Sequence, residues 1–143
     1  MQLRNILPIC VCMLLAFSMN AQNLFDTWKT IDDKTGDAKS YVQIYEAGNQ
    51  VQAKVSKLLI KPADTVCKNC SGNKKNQPVV GMVIVDGLKA YKDYWKGGTI
   101  LDPEDGKEYG VSMWFEDGKN DELKVRGKHW TGLYRTQTWY RVK

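Results

Sequence analysis

The sequence predicts an all-β protein: a single antiparallel up-and-down β-barrel of about eight strands behind a cleaved N-terminal signal peptide. Three observations predict it. After residue 22, short stretches alternate apolar and polar residues, the period-two pattern of antiparallel strands. Clusters of Gly, Asp and Asn separate the stretches where hairpin turns would fall. No stretch carries a helical period. A meander of hairpins leaves two unpaired outer edges, and closing the sheet on itself removes both. Two packed sheets are the alternative; hairpin after hairpin with no long return connection favours the barrel.

Residues 1–21 read as the signal. Arg4 supplies the positive charge, Ile6 to Phe17 an apolar run and Ala21 a small residue at the cut. The run holds about 12 residues against the roughly 20 that span a bilayer. Cys10 and Cys12 lie inside it without the small residues that lead up to a lipidated cysteine, so a soluble periplasmic or secreted protein is expected. Residues 22–143 then form one domain with a single core. Outside the cytoplasm such a domain meets no genome and no nucleotide pool, so no nucleic-acid partner and no cofactor is expected. The formal net charge of +5 falls by one with Arg4. Lys54, Lys57, Lys61, Lys74 and Lys75 suit either a solvated face or weak association with an anionic envelope surface. Nothing in the chain fixes an oligomeric state.

A first strand is expected at about 25–31 and a second at 41–46, with Val42 and Ile44 on one face and Gln43 and Tyr45 on the other. In a third, at 51–59, Val51, Ala53 and Val55 alternate with Gln52, Lys54 and Ser56, and Ala47-Gly48-Asn49-Gln50 joins it to the second as a tight hairpin. Strands at 80–86, 91–95 and 98–101 follow. The tetrapeptide Glu-Asp-Gly-Lys occurs twice, at Glu104–Lys107 and Glu116–Lys119, and Asp-Gly between alternating segments is a strong hairpin signal. Between these turns, at 108–115, Tyr109, Val111, Met113 and Phe115 share one face, with Gly110, Ser112 and Trp114 opposite. At 122–127 Leu123 and Val125 face inward while Lys124 and Arg126 face out. The last strand, 134–142, puts Arg135, Gln137, Trp139 and Arg141 on one side. Counting the two short middle segments separately makes nine strands, otherwise eight.

In a meander barrel the first and last strands are neighbours, so Trp28 can meet Arg141 in a cation–π contact worth about 0.5–2 kcal/mol and mark the closure. That pairing is similar to the lipocalin and fatty-acid-binding barrels, whose first strand carries a tryptophan and whose last carries an arginine. The likeness implies a fold and leaves the ligand open.

Trp95-Lys96-Gly97-Gly98-Thr99-Ile100-Leu101-Asp102-Pro103, Gly106-Lys107-Glu108-Tyr109, Leu123-Lys124-Val125-Arg126-Gly127 and Arg135-Thr136-Gln137-Thr138-Trp139-Tyr140-Arg141 stand in the order of a signature. With Cys67-Lys68-Asn69-Cys70-Ser71-Gly72 and Gly81, they resemble the exported bacterial family of domain of unknown function 2147 over most of the mature chain. The resemblance implies a secreted or periplasmic β-barrel without an established activity. Taken singly, Gly97-Gly98 reads as a bulge or tight turn, or as a close approach to a ligand. Asp102-Pro103 opens the loop that Asp105-Gly106 completes. Arg126 can pair with Asp102 or receive an anionic head group at the barrel mouth.

Cys67 and Cys70 lie in a polar segment, 61–78, with no core-forming pattern, and in an oxidising compartment they are expected to form a disulfide that restrains it. A redox catalyst would place the first cysteine at a helix N-terminus, and Ser71-Gly72-Asn73 is a poor helix start. A zinc site needs four ligands, and beyond the two cysteines, His129 and Asp64 the chain gives no spacing that supplies them; no metal is expected. His129 is the sole histidine, and the carboxylate pairs Asp32-Asp33, Glu104-Asp105 and Glu116-Asp117 fall in turns, so no catalytic residues are assigned and a non-enzymatic protein is expected.

The second half is rich in aromatics: Tyr91, Tyr94, Trp95, Tyr109, Trp114, Trp130, Tyr134, Trp139 and Tyr140. They can line a pocket for a small lipophilic ligand, or simply fill a small barrel. Candidate ligand contacts are Trp95, Tyr109, Trp114, Arg126, Arg135 and Trp139. The competing reading is a cell-envelope structural or adaptor protein whose barrel is filled and which acts through its surface.

Overall fold

A computed structural model describes residues 22–143. The expected signal peptide, 1–21, with Cys10 and Cys12, lies outside the described residues. Eight strands follow in order: β1 Thr27–Ile31, β2 Ala38–Ala47, β3 Gln50–Leu58, β4 Val83–Tyr91, β5 Tyr94–Asp102, β6 Lys107–Phe115, β7 Glu122–Lys128 and β8 Tyr134–Arg141. Each pairs antiparallel with the next, and β8 returns to β1 through Trp28↔Arg141 and Lys29↔Tyr140, closing an up-and-down barrel. Among the described residues the helical structure is one 3₁₀ turn, Gly72–Lys74.

The predicted hairpins form where Gly supplies a left-handed backbone. Gly48 turns β2 into β3 at φ +63°, and Gly106 and Gly118 complete the two Glu-Asp-Gly-Lys turns at +71° and +74°. Asp102 opens the first of these as expected: its carboxylate accepts the Glu104 N–H at 2.9 Å and its carbonyl the Gly106 N–H at 2.8 Å.

The middle of the chain differs from the sequence reading. The expected 91–95 segment holds the β4–β5 turn, so that only Tyr94 and Trp95 of it join 98–101 in one strand, β5, and the 80–86 segment begins later and runs on to Tyr91. The turn falls at Lys92-Asp93, where Lys92 itself takes φ +52°. Asp86-Gly87 imitates a turn, but Gly87, at φ +71°, lies inside continuous β4. Gly97, at φ +86°, makes the register shift between Trp95 and Gly98. Two irregularities facing each other across β4 and β5 thus look like strand ends in sequence. Gly98 sits against the backbone of Asp86–Leu88 so closely that a β-carbon there would collide with it.

The inner face is set by parity. Trp28, Val42, Ile44, Val51, Ala53, Val55, Val85, Leu88, Val111, Met113, Phe115, Leu123, Val125 and Trp139 are buried in one core. The starts of β1, β3, β5 and β7 share one end of the barrel, here the base; their ends share the other, the mouth. The mouth carries the longer connections, among them the β3–β4 segment with the cysteines.

That segment is built rather than slack. Val66 bridges Pro78, the Cys67 N–H donates to the Gln77 carbonyl at 2.8 Å, and the Asn76 N–H returns to the Cys67 carbonyl at 2.8 Å. Cys67 and Cys70 form the disulfide and are buried with Val79 and Met82. The segment 61–78, which lacks a core-forming pattern in sequence, nonetheless reaches the core. Its two cysteines are the apolar residues it buries, a signal that periodicity does not carry.

Candidate functional site

The inner row of β8 runs Arg135, Gln137, Trp139, Arg141 from mouth to base, fixed by the pairs Gly127↔Arg135, Val125↔Gln137 and Leu123↔Trp139. At the base the row ends in a clasp. The Arg141 guanidinium lies 4.4 Å from the centre of the Trp28 ring and donates to Asp26 at 2.7 Å, to Asp121 at 3.2 Å, and to the carbonyls of Asn120 and Asn23 at 2.7 and 3.1 Å. This is the expected closure by Trp28 and Arg141. The hydrogen bond from Arg141 holds the Asp26 carboxyl below its ordinary range against the opposing effect of burial. Above the clasp, Phe115 meets Trp28 at 5.9 Å and Trp95 at 6.0 Å between ring centres, and Trp139 is buried beside them. The base half of the interior is filled by aromatic rings.

Toward the mouth the inner face turns polar and solvent reaches it. Ile100, Tyr109, Gly127 and Gln137 point inward by register, yet all are part-exposed. The Cβ position of Gly127 lies 3.5 Å from the Tyr109 Cβ and 3.8 Å from the Ile100 Cγ2, so the missing side chain leaves a bare floor between an aromatic and an aliphatic wall. Around it stand polar groups. Arg135 reaches Asp33 at 3.3 Å with its side chain 68% exposed, and the Gln137 amide donates to the same carboxylate at 2.8 Å. Thr30 and Ser40 share a buried 2.7 Å hydrogen bond. The Tyr109 hydroxyl donates to Asp105 at 3.1 Å. Burial, then that hydrogen bond and the charges of Asp105 and Asp102, push its ionisation up, partly offset by Arg135; the phenol stays a donor at neutral pH.

The sequence-predicted site residues thus divide. Trp95 and Trp139 belong to the filled base half; Tyr109 and Arg135 stand together at the mouth. Trp114 and Arg126 lie on the outer surface, where Arg126 stacks 4.9 Å from Trp114 and 4.2 Å from Tyr134 and donates to Thr136 at 2.9 Å. Arg126 pairs with neither Asp102 nor the mouth, because Val111↔Gly127 and Ser112↔Arg126 put its neighbour inward and Arg126 out. Gly127, Ile100, Gln137 and Asp33 were not singled out as site residues. The parity of β8 already set Gln137 beside Arg135, and Gly127 falls in step with Val125; Asp33 comes from the distant β1–β2 loop.

The disulfide segment rests on the β5–β6 turn. The Asn69 amide donates to the Glu104 carbonyl at 2.7 Å, Cys67 Sγ lies 3.3 Å from the Pro103 carbonyl oxygen, and Gly106 lies flush against the Asn69 carbonyl. Burial pushes the Glu104 carboxyl up, but Lys39 at 3.1 Å and Lys61 at 3.6 Å outweigh it and hold it low. Buried sulfurs beside a three-residue 3₁₀ turn make a structural link rather than an exposed redox pair. His129 is engaged in the β7–β8 turn, where its Nδ1 shares a 2.8 Å hydrogen bond with Thr131 Oγ1.

Residues 26–141 match the family described as "Uncharacterized protein conserved in bacteria (DUF2147)". The chain belongs to that family. Among solved structures, this DUF2147 protein is similar to a protein of the human pathogen Helicobacter pylori described as belonging to the lipocalin family. The two share 21% identity with a TM-score of 0.74, over 86% of this chain and 85% of the other. The likeness establishes a lipocalin-like fold for the DUF2147 chain. No curated protein matches the sequence significantly.

Proposed function

We propose that the protein is an exported, non-enzymatic barrel that holds a small lipophilic molecule with a polar end at its mouth. One observation carries the reading: inward-facing residues are sealed at the base and open to solvent at the mouth, where Gly127 leaves a bare floor beside Ile100 and Tyr109. An apolar body fits that floor, and Arg135, Gln137 and the Tyr109 hydroxyl offer donors to a polar or anionic end. Because aromatic rings fill the base half, the ligand is short or enters by one end only. The internal disulfide and the reading of 1–21 as a signal support export. Turn-bound carboxylates and a histidine engaged in its own turn support binding over catalysis.

Native mass spectrometry of the full chain expressed in a bacterium, followed by organic extraction, tests the reading. The wild type is expected to carry a lipid-sized adduct, and Gly127→Phe to lose it, since Gly127 has no left-handed backbone, its Cβ position meets only ordinary contacts, and a ring there would occupy the floor. A bare mass for the wild type, with no uptake of a fluorescent fatty-acid probe, overturns it. The second reading, an envelope adaptor acting through its surface, draws on the filled base half and on the exposed β7–β8 hairpin.

A further inference from the structure

The β7–β8 hairpin ends in Trp130, 90% exposed, Leu133, 76% exposed, and Tyr134, 62% exposed, the three most exposed large apolar side chains among the described residues. Leaving one such residue in water is ordinary; grouping three on a single turn is not. The turn holds them outward. The His129 N–H donates to the Leu133 carbonyl at 2.7 Å, the Gly132 N–H to the His129 carbonyl at 2.9 Å, and the His129 ring packs 5.4 Å from Trp130.

Behind the tip lies a basic ribbon. From Leu123 to Tyr140 the chain carries Lys124, Arg126, Lys128 and Arg135 and no Asp or Glu, while Arg141 and Lys143 lie at the base, tied to Asp26 and Asp121. Lys128, Arg126 and Lys124 follow one another down the outer face of β7, and Arg126 is braced on Tyr134 and Trp114. The acidic groups facing the tip from neighbouring elements are Glu108, beside Lys128 and Trp130, and Asp33, paired with Arg135. They offset two charges and leave the ribbon positive.

We propose that this tip inserts into the surface of an anionic lipid bilayer, with Trp130 and Leu133 at the acyl boundary and Arg126 and Lys128 among the head groups. Tryptophan beside an aliphatic residue suits the membrane interface, and an apolar cluster entering about 5–10 Å leaves basic side chains behind it at head-group depth. Each basic residue near an anionic leaflet adds attraction that salt screens. Leu133 offers nothing to a stacked base, and the open hollow beside Trp130, lined by Glu108, Tyr109, Lys128 and His129, leaves Leu133 outside it, so a lipid surface, which engages Trp130 and Leu133 together, is the partner favoured. The tip stands at the mouth end, so docking turns the opening of the barrel toward the bilayer. The inference does not depend on a ligand in the barrel.

Co-sedimentation with vesicles of phosphatidylcholine alone, and of phosphatidylcholine with about 30% phosphatidylglycerol, tests it. The wild type is expected to bind the anionic vesicles at least about tenfold more tightly than the neutral ones. Brominated acyl chains are expected to quench its tryptophan emission. Trp130→Ser with Leu133→Ser is expected to lower binding about tenfold or more and abolish the quenching; both side chains are exposed, and unchanged circular dichroism checks the fold. Arg126→Gln with Lys128→Gln is expected to weaken binding and flatten its salt dependence. Failure of the wild type to bind anionic vesicles overturns the proposal. Unchanged binding by the tip variant does so too, because adsorption is then by charge alone. Tip-dependent displacement by a single-stranded oligonucleotide at equal phosphate concentration would assign the tip to nucleic acid instead.

Discussion

The base and the mouth of the barrel each end the inner row of β8 with an arginine, and the two residues live in opposite surroundings. Arg141, 16% exposed, is spent on two carboxylates, two carbonyls and the face of Trp28; Arg135 reaches Asp33 alone and keeps most of its surface in water. The two turns built from Glu-Asp-Gly-Lys show the reverse pairing. At the mouth, Glu104 binds two lysines and Gly106 lies under Asn69; at the base, Glu116 takes one 3.3 Å hydrogen bond from Trp114 and the Cβ position of Gly118 meets nothing within 4 Å. Identical residues on equivalent strands acquire structural or spare roles from what the rest of the chain brings to them. At the base the strands themselves close the barrel, whereas at the mouth a covering segment is bolted to one turn and the inner face beside it stays open.

Breaking the base should cost most. Trp28→Ala is expected to destabilise by about 3–5 kcal/mol through the cavity left under Phe115 and Arg141, measured by denaturant unfolding. The arginine pair tests the contrast directly. Arg141→Ala is expected to lose about 2–3 kcal/mol, because carboxylates and carbonyls at the closure lose their donor. Arg135→Ala is expected to stay within about 0.5 kcal/mol while weakening the uptake of an anionic amphiphile. Equal losses at the two positions would mean that the two arginines do the same work. The turn glycines sharpen it: Gly118→Ala is expected to cost roughly 1 kcal/mol for its left-handed backbone, and Gly106→Ala at least about twice that, since its β-carbon would strike the Asn69 carbonyl.

The smallest effect is the pH dependence of the clasp. The Asp26 carboxyl is lowered from 3.8 in the folded state, chiefly by the Arg141 hydrogen bond. A depressed folded value means the stabilisation is fully present above the unfolded value and fades as pH falls through the folded one. Asp26→Asn is therefore expected to lower the melting temperature at neutral pH and to match the wild type in strong acid. A difference that does not shrink as the pH is lowered would assign the effect to packing.

The base was legible in sequence because its determinants are local patterns. The alternation of β8 aligned Arg141 with Trp139, and a meander makes β1 the neighbour of β8. The mouth was not, because its contacts join residues far apart in sequence: Asp33 with Gln137, Asn69 with Glu104, Gly106 with Cys70. The β4–β5 hairpin escaped for a different reason. Gly87 and Gly97 advertise turns where the chain makes bulges, while the actual turn uses Lys92, which no turn preference marks. Trp114 and Arg126 suggest a ligand by residue type alone, although their own alternation with Met113 and Val125 turns them outward.

Seven of the eight strand pairings join sequence neighbours, and the eighth joins Trp28 to Arg141. The first seven can zip as hairpins of neighbouring strands, β3–β4 alone across a long connection, yet the sheet keeps two raw edges until β8 meets β1. The Arg141 clasp is thus what removes the last edges: a sheet without it is left with paired strands, an uncovered Trp28 and two edges open to other chains, the form most exposed to aggregation and proteolysis.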